Sequence, residues 1–158
     1  AVTFNLLTYS DLLRPSIMLA SMKSYIAQDE VKTQNLKDIA TFSACPGVHE
    51  TIYDIDYDDS YTVPSFVKKS NDMTQMYLEG VMNEDVHVDK LKFDVIWNGN
   101  LFHTEMHKQD ADVEEQEAYE QWFQANIPPF APSGHYKVLA SVISMGQELG
   151  CVAIDFTL

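Results

Sequence analysis

Two cysteines, Cys45 and Cys151, five histidines and a dense run of carboxylates are the residues of this chain equipped for chemistry. The cysteines stand far apart and match no CxxC or Cys/His zinc spacing, so they are either one disulfide or two separate thiols. Paired, they would close a loop around most of the chain, worth about 4 to 5 kcal/mol in the chain-entropy treatment, and would require an oxidising compartment. Cys151 lies in an apolar run and lacks the electropositive setting that activates a thiol. His103 and His107 have metal-compatible spacing only on a helix, and the Asn98-Gly99 turn before them predicts a strand, where residues four apart are widely separated. His49, His87 and His135 fall in different segments with no signature around them. Asp54, Asp56, Asp58 and Asp59 resemble a calcium loop only loosely, without the Gly and closing Glu of an EF-hand, and read as a solvated acidic strand. No GxSxG, P-loop, dinucleotide fingerprint or HExxH occurs. These residues predict no enzyme, no metal and no cofactor.

Charge narrows the partners. The chain has 158 residues, enough for one domain with a sizeable core. Ten basic against twenty-four acidic residues leave a net charge of −14, which opposes association with phosphate backbones and anionic lipid surfaces. Nucleic acid is therefore not an expected partner. No apolar run is long enough to span a bilayer, so no transmembrane segment is expected. The sequence starts at Ala1 with no leader pattern and is expected to be a processed, exported form.

The elements that must position these residues divide at Cys45. Before it, Met18, Met22, Tyr25 and Ile26 recur at helical spacing between Pro15 and Gln28, and Leu36, Ile39 and Ala40 suggest a shorter second helix. Residues 1–44 are thus predicted to be a helical extension. After it the period changes to two. Tyr53, Ile55 and Tyr57 alternate with aspartates, and a strand is predicted within Met73 to Val81. Leu91, Phe93, Val95 and Trp97 share a face before Asn98-Gly99 turns the chain into Leu101, Phe102 and His103. The acidic run Asp110 to Glu120 reads as a helical turn or loop, and Tyr119 to Ile127 as a strand. Finally Tyr136, Val138, Ala140 and Val142 face Val152, Ile154, Phe156 and Leu158 across a last hairpin. At least seven strands predict an all-β, two-sheet antiparallel sandwich over residues 45–158.

Several of these segments carry a resemblance. Phe42-Ser43-Ala44-Cys45, Leu78-Glu79-Gly80-Val81 and Val95-Ile96-Trp97-Asn98-Gly99 are the early ones. The run from Ile127 through Pro132-Ser133-Gly134-His135-Tyr136 to Val138, and Leu149-Gly150-Cys151-Val152-Ala153-Ile154, complete the pattern. Together they resemble the ML lipid-recognition domain, the group of the Niemann-Pick type C sterol carrier, the ganglioside activator and the group 2 mite allergens. The resemblance implies an immunoglobulin-like sandwich whose sheets admit a lipid, with Cys45 of the first strand bonded to Cys151 of the last. The further cysteine pairs common in that family are absent, and the extension before Cys45 is additional to it.

The expected function is non-enzymatic binding of a sterol, fatty acid or similar apolar ligand between the sheets of a secreted or lumenal protein, whether extracellular, endosomal, lysosomal or vacuolar. The expected wall residues are Phe93, Val95, Trp97, Phe102, Trp122, Phe123, Phe130, Tyr136, Val138, Val142, Ile154 and Phe156. The alternative is a structural protein whose sandwich is filled and which docks into an assembly through its N-terminal helix and acidic surface.

Overall fold

The computed structural model describes residues 3–6, 39–47, 51–65, 67–69 and 74–158. Eleven strands run through them: β1 (Thr3–Leu6), β2 (Thr41–Ala44), β3 (Tyr53–Ile55), β4 (Tyr61–Val63), β5 (Thr74–Leu78) and β6 (Gly80–Met82), followed by β7 (Val86–Trp97), β8 (Asn100–Val113), β9 (Gln121–Asn126), β10 (His135–Ser144) and β11 (Gln147–Thr157). All strand pairs are antiparallel. One sheet has the order β1-β9-β5-β4, the other β2-β11-β10-β7-β8, and β3 and β6 form a small third sheet. The all-β expectation therefore holds for the described residues. The helical stretch predicted over Pro15 to Gln28, and Leu36, lie outside them.

Sheet structure begins before Cys45. β1 pairs with β9, β2 pairs with β11, Ile39 forms a β-bridge and the Ala40 N–H donates to the Ser65 carbonyl at 3.2 Å. Ile39 and Ala40 thus join the sheets rather than the predicted second helix, and Cys45 directly follows β2 rather than opening the first strand. Contacts with distant segments, such as that of Ala40 with Ser65, override a helical spacing that rested on three residues.

The long strands follow from their alternation. In β7, β10 and β11 the inward residues meet in register: Val138 stands opposite Val95 on one side and Ile154 on the other, and Tyr136 opposite Trp97 and Phe156. The second sheet contributes Met76 and Phe123, which are paired on neighbouring strands. Phe93 and Phe123 are fully buried, with ring centroids 4.9 Å apart, and link β7 to β9 across the core.

Two glycines allow close approaches. Gly80 opens β6, which belongs to a different sheet from β5 although the sequence reads as one run; a Cβ there would lie 2.5 Å from the Asp54 carbonyl oxygen. Gly134, at φ +144°, lets the corner before β10 lie against the β7–β8 turn, where Trp97 Nε1 donates to the Ser133 carbonyl at 3.1 Å and the His135 N–H donates to Asn98 Oδ1 at 2.9 Å. Among the described residues no helix is long and apolar enough to cross a membrane.

Candidate functional site

The register assigns each expected wall residue to a place. Phe93, Val95, Phe123, Tyr136, Val138, Val142, Ile154 and Phe156 form one buried cluster between the sheets, and half-buried Trp97 sits against it. Tyr136 stacks on Phe156 at 5.5 Å, and its hydroxyl donates to the Pro132 carbonyl at 2.7 Å. Burial raises the Tyr136 hydroxyl pKa, keeping it a neutral donor there.

Three expected wall residues lie elsewhere. Trp122 adjoins Phe123 on β9 and so points to the opposite face, where it packs at 4.7 Å from Tyr77 and 6.1 Å from Tyr61. Phe130 is 80% exposed in the Pro-rich link between β9 and β10. Phe102 occupies the bulge created where pairing shifts from Val95–His103 to Ile96–Leu101, and it is 43% exposed with its ring 6.0 Å from Trp97. The first case reflects period two, the second a turn without a facing sheet, and the third the extra residue of a bulge.

The cysteines are joined as a disulfide with a Cα separation of 5.5 Å. Extending the β2–β11 register from Ala44–Val152 by one residue sets Cys45 beside Cys151. The bond therefore staples neighbouring strands of one sheet, within a small cluster with Ala153 and Leu139 on the side away from the main core. That side carries Cys151 and Ala153 because Val152 and Ile154 face inward.

Other buried residues complete the inter-sheet layer. Met76, Leu78, Met82, Val88 and Ile127 join it, and Tyr53 closes one end, donating its hydroxyl to the Tyr119 carbonyl at 2.6 Å. Burial, with Tyr119, Glu79 and Glu120 adding to it, pushes the Tyr53 hydroxyl pKa strongly upward. Met76 and Leu78 alternate on β5, a signal available in the sequence, whereas Ile127 follows its strand and is buried only by tertiary contacts.

The polar residues take unexpected company. His103, Glu105 and His107 pair with Val95, Phe93 and Leu91, so they share the inward face of β8. Glu105 accepts from His103 Nε2 at 3.0 Å and from His107 Nε2 at 3.3 Å, and His107 meets Phe93 edge-on at 5.5 Å. On the outer face His87 contacts Asp112 at 2.6 Å, Asp110 at 2.8 Å and Asp89 at 3.8 Å. The hydrogen bond to Asp112 chiefly raises its pKa; desolvation opposes this, and the charges of Asp112, Asp110 and Asp89 add to the rise. Asp54, Asp56 and Asp58 line a surface groove of about 420 Å³ with Glu79, and Asp56 Oδ1 accepts the Asp58 and Asp59 N–H groups in a turn. Among the described residues no group of three or more His, Cys, Asp or Glu is arranged to hold a metal ion.

No protein-family model matches the chain, and no curated protein matches it by sequence. Among solved structures it is similar to a Niemann-Pick type C2 protein from the Japanese carpenter ant, with a TM-score of 0.58 and 10% identity over 73% of this chain and 97% of that one. Weaker likenesses, below the level of a shared fold, are to the Pseudomonas fluorescens alkylpurine DNA glycosylase AlkC (TM-score 0.48, 11% identity, 92% of this chain and 43% of that one) and to chicken MD-1 complexed with lipid IVa (TM-score 0.40, 13% identity, 73% and 86%). The antiparallel sandwich, its in-sheet disulfide and the first of these likenesses together give the chain an ML-like fold.

Proposed function

We propose that this protein binds one apolar lipid between its two sheets and performs no covalent chemistry on it. The observation that carries the reading is the aromatic and aliphatic layer from Trp97 and Tyr136 through Val138 and Ile154 to Phe93 and Phe123, in a sandwich similar to a Niemann-Pick type C2 protein. Such a layer gains roughly 25 cal/mol per Å² of apolar ligand surface removed from water. Several hundred Å² therefore supplies about 10 kcal/mol of gross driving force before the costs of association. Phe93, Phe123, Val138 and Ile154 have no exposed surface, so a ligand gains access by parting the sheets. The β2 side is tied by the Ala40–Ser65 backbone hydrogen bond, and the β8 side by the side-chain hydrogen bond of Gln109 to Gln121 on β9. A disulfide suits a secreted or lumenal site of action.

The complete burial of Phe93 and Phe123 favours a second reading, in which the sandwich is filled and the protein docks to a partner through its N-terminal segment and acidic surface. Organic-solvent extraction of the native protein followed by mass spectrometry separates the two. Stoichiometric lipid supports the first; lipid-free protein that also ignores fluorescent sterol and fatty-acid probes supports the second.

A further inference from the structure

Trp122, Tyr77 and Tyr61 form a row across the four-stranded sheet, because Trp122 is paired with Tyr77 and Tyr77 with Tyr61. Directly paired residues share a face, and this face points away from the core, since the chain neighbours Phe123, Met76 and Leu78 belong to the inter-sheet cluster. Ring centroids along the row are 4.7 and 5.1 Å apart. The outer face of a two-sheet sandwich ordinarily meets water. Yet Tyr77 is 1% and Trp122 7% exposed, and side-chain oxygens of Tyr61, Gln75 and Tyr77 are shielded from solvent. Neither Tyr77 nor Trp122 belongs to either cluster of the core, and the five-stranded sheet packs on the other side. The row's cover must come from elsewhere in the chain.

Connectivity points to the source. β1 forms one edge of this sheet and ends at Leu6, which pairs with Phe123 beside Trp122, so the chain leaves the sheet level with the aromatic row. It returns at Ile39, and Ala40 bonds to Ser65, just past the end of β4 on the opposite edge. Residues 7–38 therefore connect opposite edges of a sheet whose inner face is filled by the core. Three strand spacings amount to about 14 Å. Pro15 to Gln28, the stretch with helical spacing, would be about 21 Å long as a helix, enough to cross the sheet on a diagonal. Met18, Met22, Tyr25 and Ile26 follow the i, i+4, i+7, i+8 spacing of the apolar face that such a helix buries.

We propose that residues 7–38 cross the outer face of the β1-β9-β5-β4 sheet and seat Met18, Met22, Tyr25 and Ile26 on Trp122, Tyr77 and Tyr61, giving the sandwich a third layer. Apolar stripe and aromatic row are then removed from water together, and methionine sulfur makes favourable contacts with ring edges. The stripe is committed within the chain, and only the segment's other face is left for a partner. A lipid between the sheets is neither required nor opposed, because the row lies outside them.

The test reads Trp122 in the full chain. With Trp97→Phe it is the one tryptophan left, and acrylamide, which is uncharged, reports its access to solvent without bias from the net charge of −14. Trp122 should be quenched slowly and emit at short wavelength. Met22→Glu with Ile26→Glu should raise the quenching several-fold and shift emission to the red, at an unchanged β-sheet circular dichroism spectrum. Ser24→Glu, on the far side of a helix with that stripe, should do neither. Ready quenching before the charges are introduced, an unchanged Trp122 after them, or an equal effect of Ser24→Glu overturns the docking. A second measurement needs no substitution: in the unaltered chain with isotope-labelled methionine methyls, nuclear Overhauser contacts should join Met18 or Met22 to ring protons of Trp122 or Tyr77. Absence of those contacts, or contacts from both methyls to other residues only, overturns it as well.

Discussion

Phe93 and Phe123 stand 4.9 Å apart, with ring planes inclined by 51°, on strands of different sheets. Both are completely buried, and they are paired within their own sheets with Ala140 and Met76, so this contact couples the two layers at the centre of the core. Replacing Phe123 with Ala should cost about 3 to 5 kcal/mol, the usual loss for a buried phenylalanine. Urea denaturation reads this directly. A loss well under 1 kcal/mol would mean that the layers are held apart at this point rather than by it.

Disulfide removal should have an effect of similar size by a different route. Cys45 and Cys151 are separated by 106 residues, and breaking so long a loop releases chain entropy in the unfolded state worth about 4 to 5 kcal/mol. The double variant with Cys45→Ala and Cys151→Ala should melt well below the parent, and reduction of the parent should reproduce that loss. Alkylation of the native, unreduced protein should label neither cysteine.

At Gly80 a methyl group has nowhere to go. Its Cβ would meet the Asp54 carbonyl oxygen and Tyr53 Cε1, each at 2.5 Å, and the Ile55 Cα at 3.0 Å. Gly80→Ala should therefore destabilise by about 1 to 3 kcal/mol through overpacking. Gly99→Ala, which meets nothing within 4 Å but holds φ +84°, tests strain without crowding and should lose less. Thermal melts of the two variants compare them.

Acidity should strengthen the His87 cluster. Asp112, Asp110 and Asp89 raise the His87 pKa, so the folded protein favours the imidazolium. The stabilisation is then complete below the ordinary imidazole range, about pH 6.5, and is lost as pH rises through the raised value. His87→Gln should lower the melting temperature more at about pH 5.5 than at about pH 8.5. Because the ring is solvent-exposed the difference should be small, and nuclear magnetic resonance titration of the His87 ring, shifted to higher pH than a free imidazole, is the sharper measurement.

A bulky residue in the layer distinguishes a ligand space from a closed core. Val138 lies between Val95 and Ile154 with no exposed surface. If the sheets part for a lipid, Val138→Phe should abolish probe binding with little loss of stability; if they are permanently filled, it should cost about 1 to 3 kcal/mol. Probe titration and denaturation of the same variant give both numbers.

The alternation of Phe93, Val95 and Trp97, of Tyr136, Val138 and Ala140, and of Val152, Ile154 and Phe156 was legible in the chain, together with the Asn98-Gly99 turn between β7 and β8. Period two sorts a strand into two faces, and these strands have one face apolar enough to name the inner one. The order of residues alone therefore determined the all-β character of this region and most of the core. It did not determine which face of a strand with two usable faces turns inward. Trp122 and Phe123 are both large and apolar; period two sends them to opposite sides, and only the packing of β9 against β7 makes Phe123 the inner one. β8 reads as polar on both faces, so the inward placement of His103, Glu105 and His107 follows from its register with β7. That register slips at two bulges, which no alternating pattern reveals. The union of Cys45 with Cys151 likewise depends on β2 lying beside β11, a contact between chain segments more than a hundred residues apart. Local periodicity fixes faces within a strand; the free energy of burying one face against a distant strand decides what each face touches.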